Sequence, residues 1–127
     1  TETNQTDMID DRVFYFSKNN KLKKIAYNKN NGIWIYDCLS KNKTYLSDGN
    51  YPILLDNNIV LFIKYTDDGH ETTGSDIYYA TLTNPKKIFN LTNTPKTIET
   101  YLNFDDNLKR LYFTTLPDKK IKYYVIN

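Results

Sequence analysis

The sequence predicts an all-β protein built from antiparallel, four-stranded meanders, and three observations carry that expectation. Twelve Tyr, six Phe and one Trp make 15% of the chain aromatic, a bias that suits pleated, half-buried strands, while no stretch sustains a helical period. Short apolar runs alternate with turn-forming clusters of Asn, Asp, Gly and Lys along the whole length. A unit of strand, turn and outer strand recurs, and its anchors Ile33, Ile77 and Ile121 stand about 44 residues apart, the span of one four-stranded repeat.

The clearest copy runs from Ser75 to Thr92. Asp76 to Leu82 reads as a half-buried strand, Thr83-Asn84-Pro85-Lys86-Lys87 as a turn, and Ile88 to Thr92 as a short outer strand. Taken in order, the chain opens with a polar lead-in over residues 1–10 in which only Met8 and Ile9 are apolar. The first unit, residues 12–47, has Val13 to Ser17 as a strand, Lys18 to Lys21 as a turn and Leu22 to Tyr27 as the returning strand. Asn31-Gly32, the strongest short hairpin signal in the chain, then leads into Ile33 to Tyr36, with Thr44 to Ser47 outermost.

The second unit, residues 51–92, begins with Tyr51 to Leu55, turns at Asp56 to Asn58 and returns through Ile59 to Ile63. That continuous apolar run predicts a strand covered on both faces, whereas the polar alternation of Lys23 to Tyr27 predicts a partly solvated one. Thr66 to Ser75 is expected to be the longest connection. The third unit, residues 97–126, runs Thr97 to Phe104, turns at Asp105 to Asn107, returns through Leu108 to Thr114, turns at Leu116 to Lys119 and ends on Ile121 to Ile126. No outer strand follows it, and the strand that closes such an open edge is expected from a second chain, with Gln5 to Ile9 as the pairing segment, or from residues cut away. Trp34, Tyr78 and Tyr123 are expected at equivalent places in successive units.

The bulk properties exclude several function classes. At 127 residues and 39% hydrophobic the chain suits one domain with a real core. A net charge of +2 lacks the clustered basicity that neutralises phosphates, so nucleic acid is not an expected partner. Cys38 is the only cysteine, which rules out an intrachain disulfide and a cysteine-based zinc site. The longest apolar runs fall far short of the roughly 18 residues of a membrane helix. A start at Thr1 rather than Met leads us to expect that a leader, a tag or further protein has been removed.

The turns Ser17-Lys18-Asn19-Asn20, Leu55-Asp56-Asn57-Asn58 and Phe104-Asp105-Asp106-Asn107, with the segments Asp76-Ile77-Tyr78 and Asn90-Leu91-Thr92, resemble the TolB-like, WD-related propeller repeat. Its blades read S-P-D-G-K-x-I-A-F, then D-I-Y-V-x-D-L, then L-T. The resemblance covers residues 12–126; the departure is an Asn-rich turn that has lost the proline and glycine in all three copies. It implies a partial β-propeller of about three blades where the family closes with about six or more. The chain is then expected to be a piece of a longer propeller or to self-associate as a homo-oligomer through open blade edges. It further implies an exported, periplasmic or cell-surface bacterial protein, accessory to a peptidase or surface protein, that binds a protein partner.

Candidate chemistry is sparse. His70 is the only histidine and lies among Asp67, Asp68, Glu71 and Asp76, a set that offers carboxylate oxygens of the kind calcium takes. Its spacing fits neither an EF-hand loop nor a two-histidine zinc motif, so a solvated charged loop is the plainer reading. A carbohydrate- or cation-binding accessory role for this loop is the alternative. Ser17, Ser40, Ser47 and Ser75 lack a nucleophile-elbow context, and no catalytic constellation is expected. Lys18, Lys21, Lys23, Lys24 and Lys29 read as a solvated strand face that discourages edge pairing. The function expected is a non-catalytic protein-binding module that uses exposed aromatics and loops at one end of the strands.

Overall fold

The computed structural model describes residues 4–84, 86–94 and 96–126; Pro85, part of one predicted turn, and Asn127, after the last predicted strand, lie outside these. The described residues form eleven strands and no helix. The order is β1 (Tyr15–Asn19), β2 (Lys24–Lys29), β3 (Gly32–Asp37), β4 (Lys43–Asp48), β5 (Asn50–Leu55), β6 (Ile59–Asp67), β7 (Thr72–Thr81), β8 (Ile88–Asn90), β9 (Ile98–Asp105), β10 (Arg110–Leu116) and β11 (Lys120–Val125). They make three open antiparallel meanders: a first sheet β1-β2-β3-β4, a second β5-β6-β7-β8 and a third β9-β10-β11.

Repeated turn chemistry sets these boundaries. The turns that close β1–β2, β5–β6 and β9–β10 end on Lys23, Asn58 and Lys109, with φ of 54°, 65° and 55°. In the first and third, the strand-ending side chain caps the turn: Asn19 Oδ1 accepts the Leu22 N–H at 2.9 Å, and Asp105 Oδ1 accepts the Leu108 N–H at 3.1 Å. Such Asx turns explain how the repeat dispenses with proline and glycine. Between β2 and β3 the two turn residues are Asn30 and Asn31, both left-handed at φ 53° and 60°, as a two-residue hairpin with the favoured twist requires. Gly32 therefore stands one place later than expected, inside β3, where a Cβ would meet the Tyr45 ring at 3.0 Å.

The connection expected over Thr66 to Ser75 is mostly strand. Its β-branched threonines continue the ladder, with Lys64 opposite Asp76 and Asp67 opposite Thr72, and only the tip is a turn. The lead-in forms no strand between residues 4 and 14. Phe14 N–H instead reaches the Asn28 carbonyl at 3.1 Å.

The sheets stack face to face, with the inner strands β1, β5 and β9 side by side. Ala26, Ile33, Ile35 and Leu46 of the first sheet pack on Leu54, Val60, Phe62 and Ala80 of the second. The opposite face of the second sheet gives Leu55, Ile59, Leu61 and Ile77 to Leu111, Phe113 and Ile126 around the third. The β6 run Ile59 to Ile63 is buried at every residue, because alternate side chains enter two different cores. The anchors hold their register: Ile33, Ile77 and Ile121 pair with Asn28, Ile63 and Thr114, each the fifth residue of its strand. Trp34 and Tyr78 follow the anchor directly and share a face, but the equivalent residue of β11 is Lys122. Tyr123 is one place further on and points to the other face, since a single-residue offset inverts a strand's side chains.

Candidate functional site

At the acidic tip singled out in the sequence, two of the carboxylates bond to their own backbone. Asp67 Oδ1 accepts the Gly69 N–H at 3.0 Å, and Asp68 Oδ1 accepts the N–H groups of His70 at 2.9 Å and Glu71 at 3.0 Å. These bonds hold the Asp68 carboxyl below its usual value. Asp67, Asp68, His70 and Glu71 thus share one exposed turn, and no group of three or more metal-ligating side chains converges among the described residues. Asp76 is elsewhere. Three ladder steps down β7, it accepts Asn90 Nδ2 at 2.9 Å and the Thr94 N–H at 2.7 Å.

Asp76 belongs to a junction between the second and third sheets. Thr94 Oγ1 lies 3.3 Å from Asp76 Oδ1 and donates to Glu99 Oε1 at 2.7 Å, and Thr92 Oγ1 donates to the same oxygen at 2.7 Å. The Glu99 backbone is gripped as well: Ser75 Oγ accepts its N–H and donates to its carbonyl, both at 2.6 Å. Glu99 is buried, and burial raises its carboxyl above the usual value, with the Asp76 charge adding to the rise. This network fixes the start of β9, and with it the two residues that follow, Thr100 and Tyr101.

Those residues line a cleft that sequence reasoning did not find. Tyr15, Tyr51 and Tyr101 each stand four residues before the end of an inner strand, β1, β5 and β9 respectively. Ladder shifts in β5 and β9 release Tyr51 and Tyr101 from regular pairing, at φ of 54° and 55°, and turn the side chains to the same end of the stack. With Tyr65 of β6, Thr100, Leu102 and Asn103 they bound a cleft of about 530 Å³. All four tyrosines are exposed. Tyr15 and Tyr51 meet edge to face with ring centroids 5.5 Å apart. Burial raises the Tyr65 phenol, the Thr100 hydroxyl offsets part of the rise, and the neighbouring Tyr51 and Tyr101 phenols add to it.

A second groove of about 620 Å³ shares Tyr15, Leu102 and Asn103 with the cleft and extends along the inner strands to Lys18, Lys21, Asp56 and Asp106. Its floor is rigid, because the first and second sheets are bonded there. Ser17 Oγ accepts the Leu54 N–H at 3.2 Å, and Asn19 Nδ2 donates to the Leu54 carbonyl at 3.1 Å and to Asp56 Oδ1 at 2.8 Å. The arrangement provides aromatic contact, hydroxyl and amide hydrogen bonding, and charges of both signs at the far end. A signal for it existed in the tyrosines that precede each Asn- and Asp-rich turn by a near-constant interval. Comparison with protein-family models, with curated proteins and with solved structures finds no match for this chain.

Proposed function

We propose that this chain is a non-catalytic protein-binding module, a partial propeller of TolB-like blades from an exported or cell-surface protein, which takes an extended peptide segment of its partner along the inner-strand groove. The observation that carries the binding reading is the presentation of Tyr15, Tyr51 and Tyr101 from the same place on the inner strands of three successive sheets. Tyrosine gives large contact area at low entropic cost and still hydrogen-bonds, which is why it is enriched where proteins meet. The elongated shape favours an extended chain over a compact ligand. The blade reading is supported by three stacked meanders with the anchor isoleucines in one register.

The experiment is selection from a displayed random-peptide library on the immobilised chain, followed by titration of the selected peptides. Enrichment of a related set whose binding is lost in Tyr51→Ala and Tyr101→Ala is the expected result. No enrichment, or binding indifferent to both substitutions, overturns the reading. A second reading, saccharide binding, is favoured by one observation: the four tyrosines share the cleft lining with Thr100 and Asn103, a mixture of ring surface and hydrogen-bonding groups that suits a sugar. Binding on a glycan array that the same two substitutions abolish, with no peptide enriched, would put that reading first.

A further inference from the structure

The most exposed apolar face of the third sheet is one that the other two sheets bury. Counting from the first residue of β2, β6 and β10, the third positions are Ala26, Leu61 and Tyr112, paired with Ile35, Tyr79 and Tyr123; the fifth are Asn28, Ile63 and Thr114, paired with the anchors Ile33, Ile77 and Ile121. In the first two sheets this face is covered by the next sheet in the stack, and Ile33 and Ile77 are fully buried. On the third sheet Ile121 is 77% exposed and Tyr123 51%.

What covers such a face inside the chain is always the opposite face of a following sheet, built from the second and fourth positions: Val60 and Phe62, then Leu111 and Phe113. The first sheet carries the same set, Ile25 and Tyr27 with Trp34 and Tyr36 across the ladder and Phe16 beside Tyr27. No sheet covers it. The lead-in lies there instead, held by Asp10, which accepts the Tyr27 hydroxyl at 2.8 Å and Lys29 Nζ at 2.6 Å. The fit is loose, for Ile9 and Val13 leave a cavity of about 230 Å³ against Phe16, Ile25 and Tyr27.

We propose that a second copy of this chain stacks head to tail, its first sheet on this chain's third, in continuation of the two sheet-on-sheet interfaces already present, with the Asp10-held lead-in as the competing cover. The inference goes beyond the peptide groove and does not depend on it. Such a contact is heterologous: each copy offers two different faces, so association runs on into longer arrays unless the rotation closes a ring.

Sedimentation velocity at high micromolar concentration tests it, using the wild type, Asp10→Ala, Phe16→Lys and Ile121→Lys. Phe16 and Ile121 are 62% and 77% exposed, so both lysine variants are expected to fold, and Tyr123→Lys replaces Ile121→Lys if circular dichroism shows otherwise. The expected result is association in Asp10→Ala stronger than in the wild type, monomers for each lysine variant alone, and a dimer that grows no further when the two are mixed. Monomers for both the wild type and Asp10→Ala overturn the proposal. So does association of either lysine variant by itself, as a symmetric contact would give, or a mixture that stays monomeric.

Discussion

The hairpin tip at Asp67 to Glu71 and the tyrosine cleft make an instructive pair, because the first is conspicuous in the sequence and the second in space. The tip gathers three acidic residues and the only histidine within a few positions, yet the carboxylates of Asp67 and Asp68 turn back on the N–H groups of their own loop. The cleft draws Tyr15, Tyr51, Tyr65 and Tyr101 from four strands in three sheets. Local density of polar groups tends to satisfy itself, whereas side chains supplied by separate rigid strands stay available to a ligand.

The largest effect expected on the cleft side is that of Tyr51→Ala combined with Tyr101→Ala. Truncating two aromatic anchors, at about 1–2 kcal/mol each, should weaken a selected peptide by roughly 100-fold with the far-ultraviolet spectrum unchanged; calorimetric titration measures it. A smaller loss would shift the contact surface elsewhere.

Next comes Ser75→Ala. It strips both backbone bonds from buried Glu99, at a cost of about 1–3 kcal/mol for groups left unsatisfied, and loosens the strand that carries Tyr101. Chemical denaturation reads the stability, and peptide affinity should fall with it.

Glu99→Gln should act in the opposite direction. Because burial raises this carboxyl above its ordinary value of 4.5, folding favours the protonated form; that stabilisation is complete below 4.5 and is lost as pH rises through the folded value. The variant, which keeps an oxygen for Thr92 and Thr94, should melt above the wild type at neutral pH. The gap should close on acidification to pH 4.5 and below, and a pH-independent difference would contradict the assignment.

The smallest effects belong to the tip. His70→Ala and Glu71→Gln should change peptide affinity by less than about twofold, as substitutions outside an interface do. Titration with calcium should give no heat, since Asp67 and Asp68 already serve their own loop; saturable binding would restore the tip as a ligand site.

Much of the fold was legible because it rests on local chemistry repeated at a fixed interval. The Asn- and Asp-rich turns, the doubly covered run Ile59 to Ile63 and the spacing of Ile33, Ile77 and Ile121 are each readable from neighbours in the chain. What escaped was a matter of phase. Tyr123 follows its anchor by two residues where Trp34 and Tyr78 follow theirs by one, and only the ladder reveals the change of face. The cleft escaped for a related reason: Tyr51 and Tyr101 reach it through bulged, left-handed backbone that composition does not announce. Asp76 was grouped with its sequence neighbours, although three ladder steps of roughly 3.3 Å each carry it away from the tip and into the Glu99 junction.

The central claim, that the chain binds through the cleft and not through the tip, is tested most directly by titrating a selected peptide into isotopically labelled protein and following the amide resonances. The account predicts that the largest shifts fall on Tyr15, Tyr51, Tyr65 and residues 100–103, with those of residues 67–71 unmoved. Shifts centred on residues 67–71, with the tyrosine cleft silent, would contradict it.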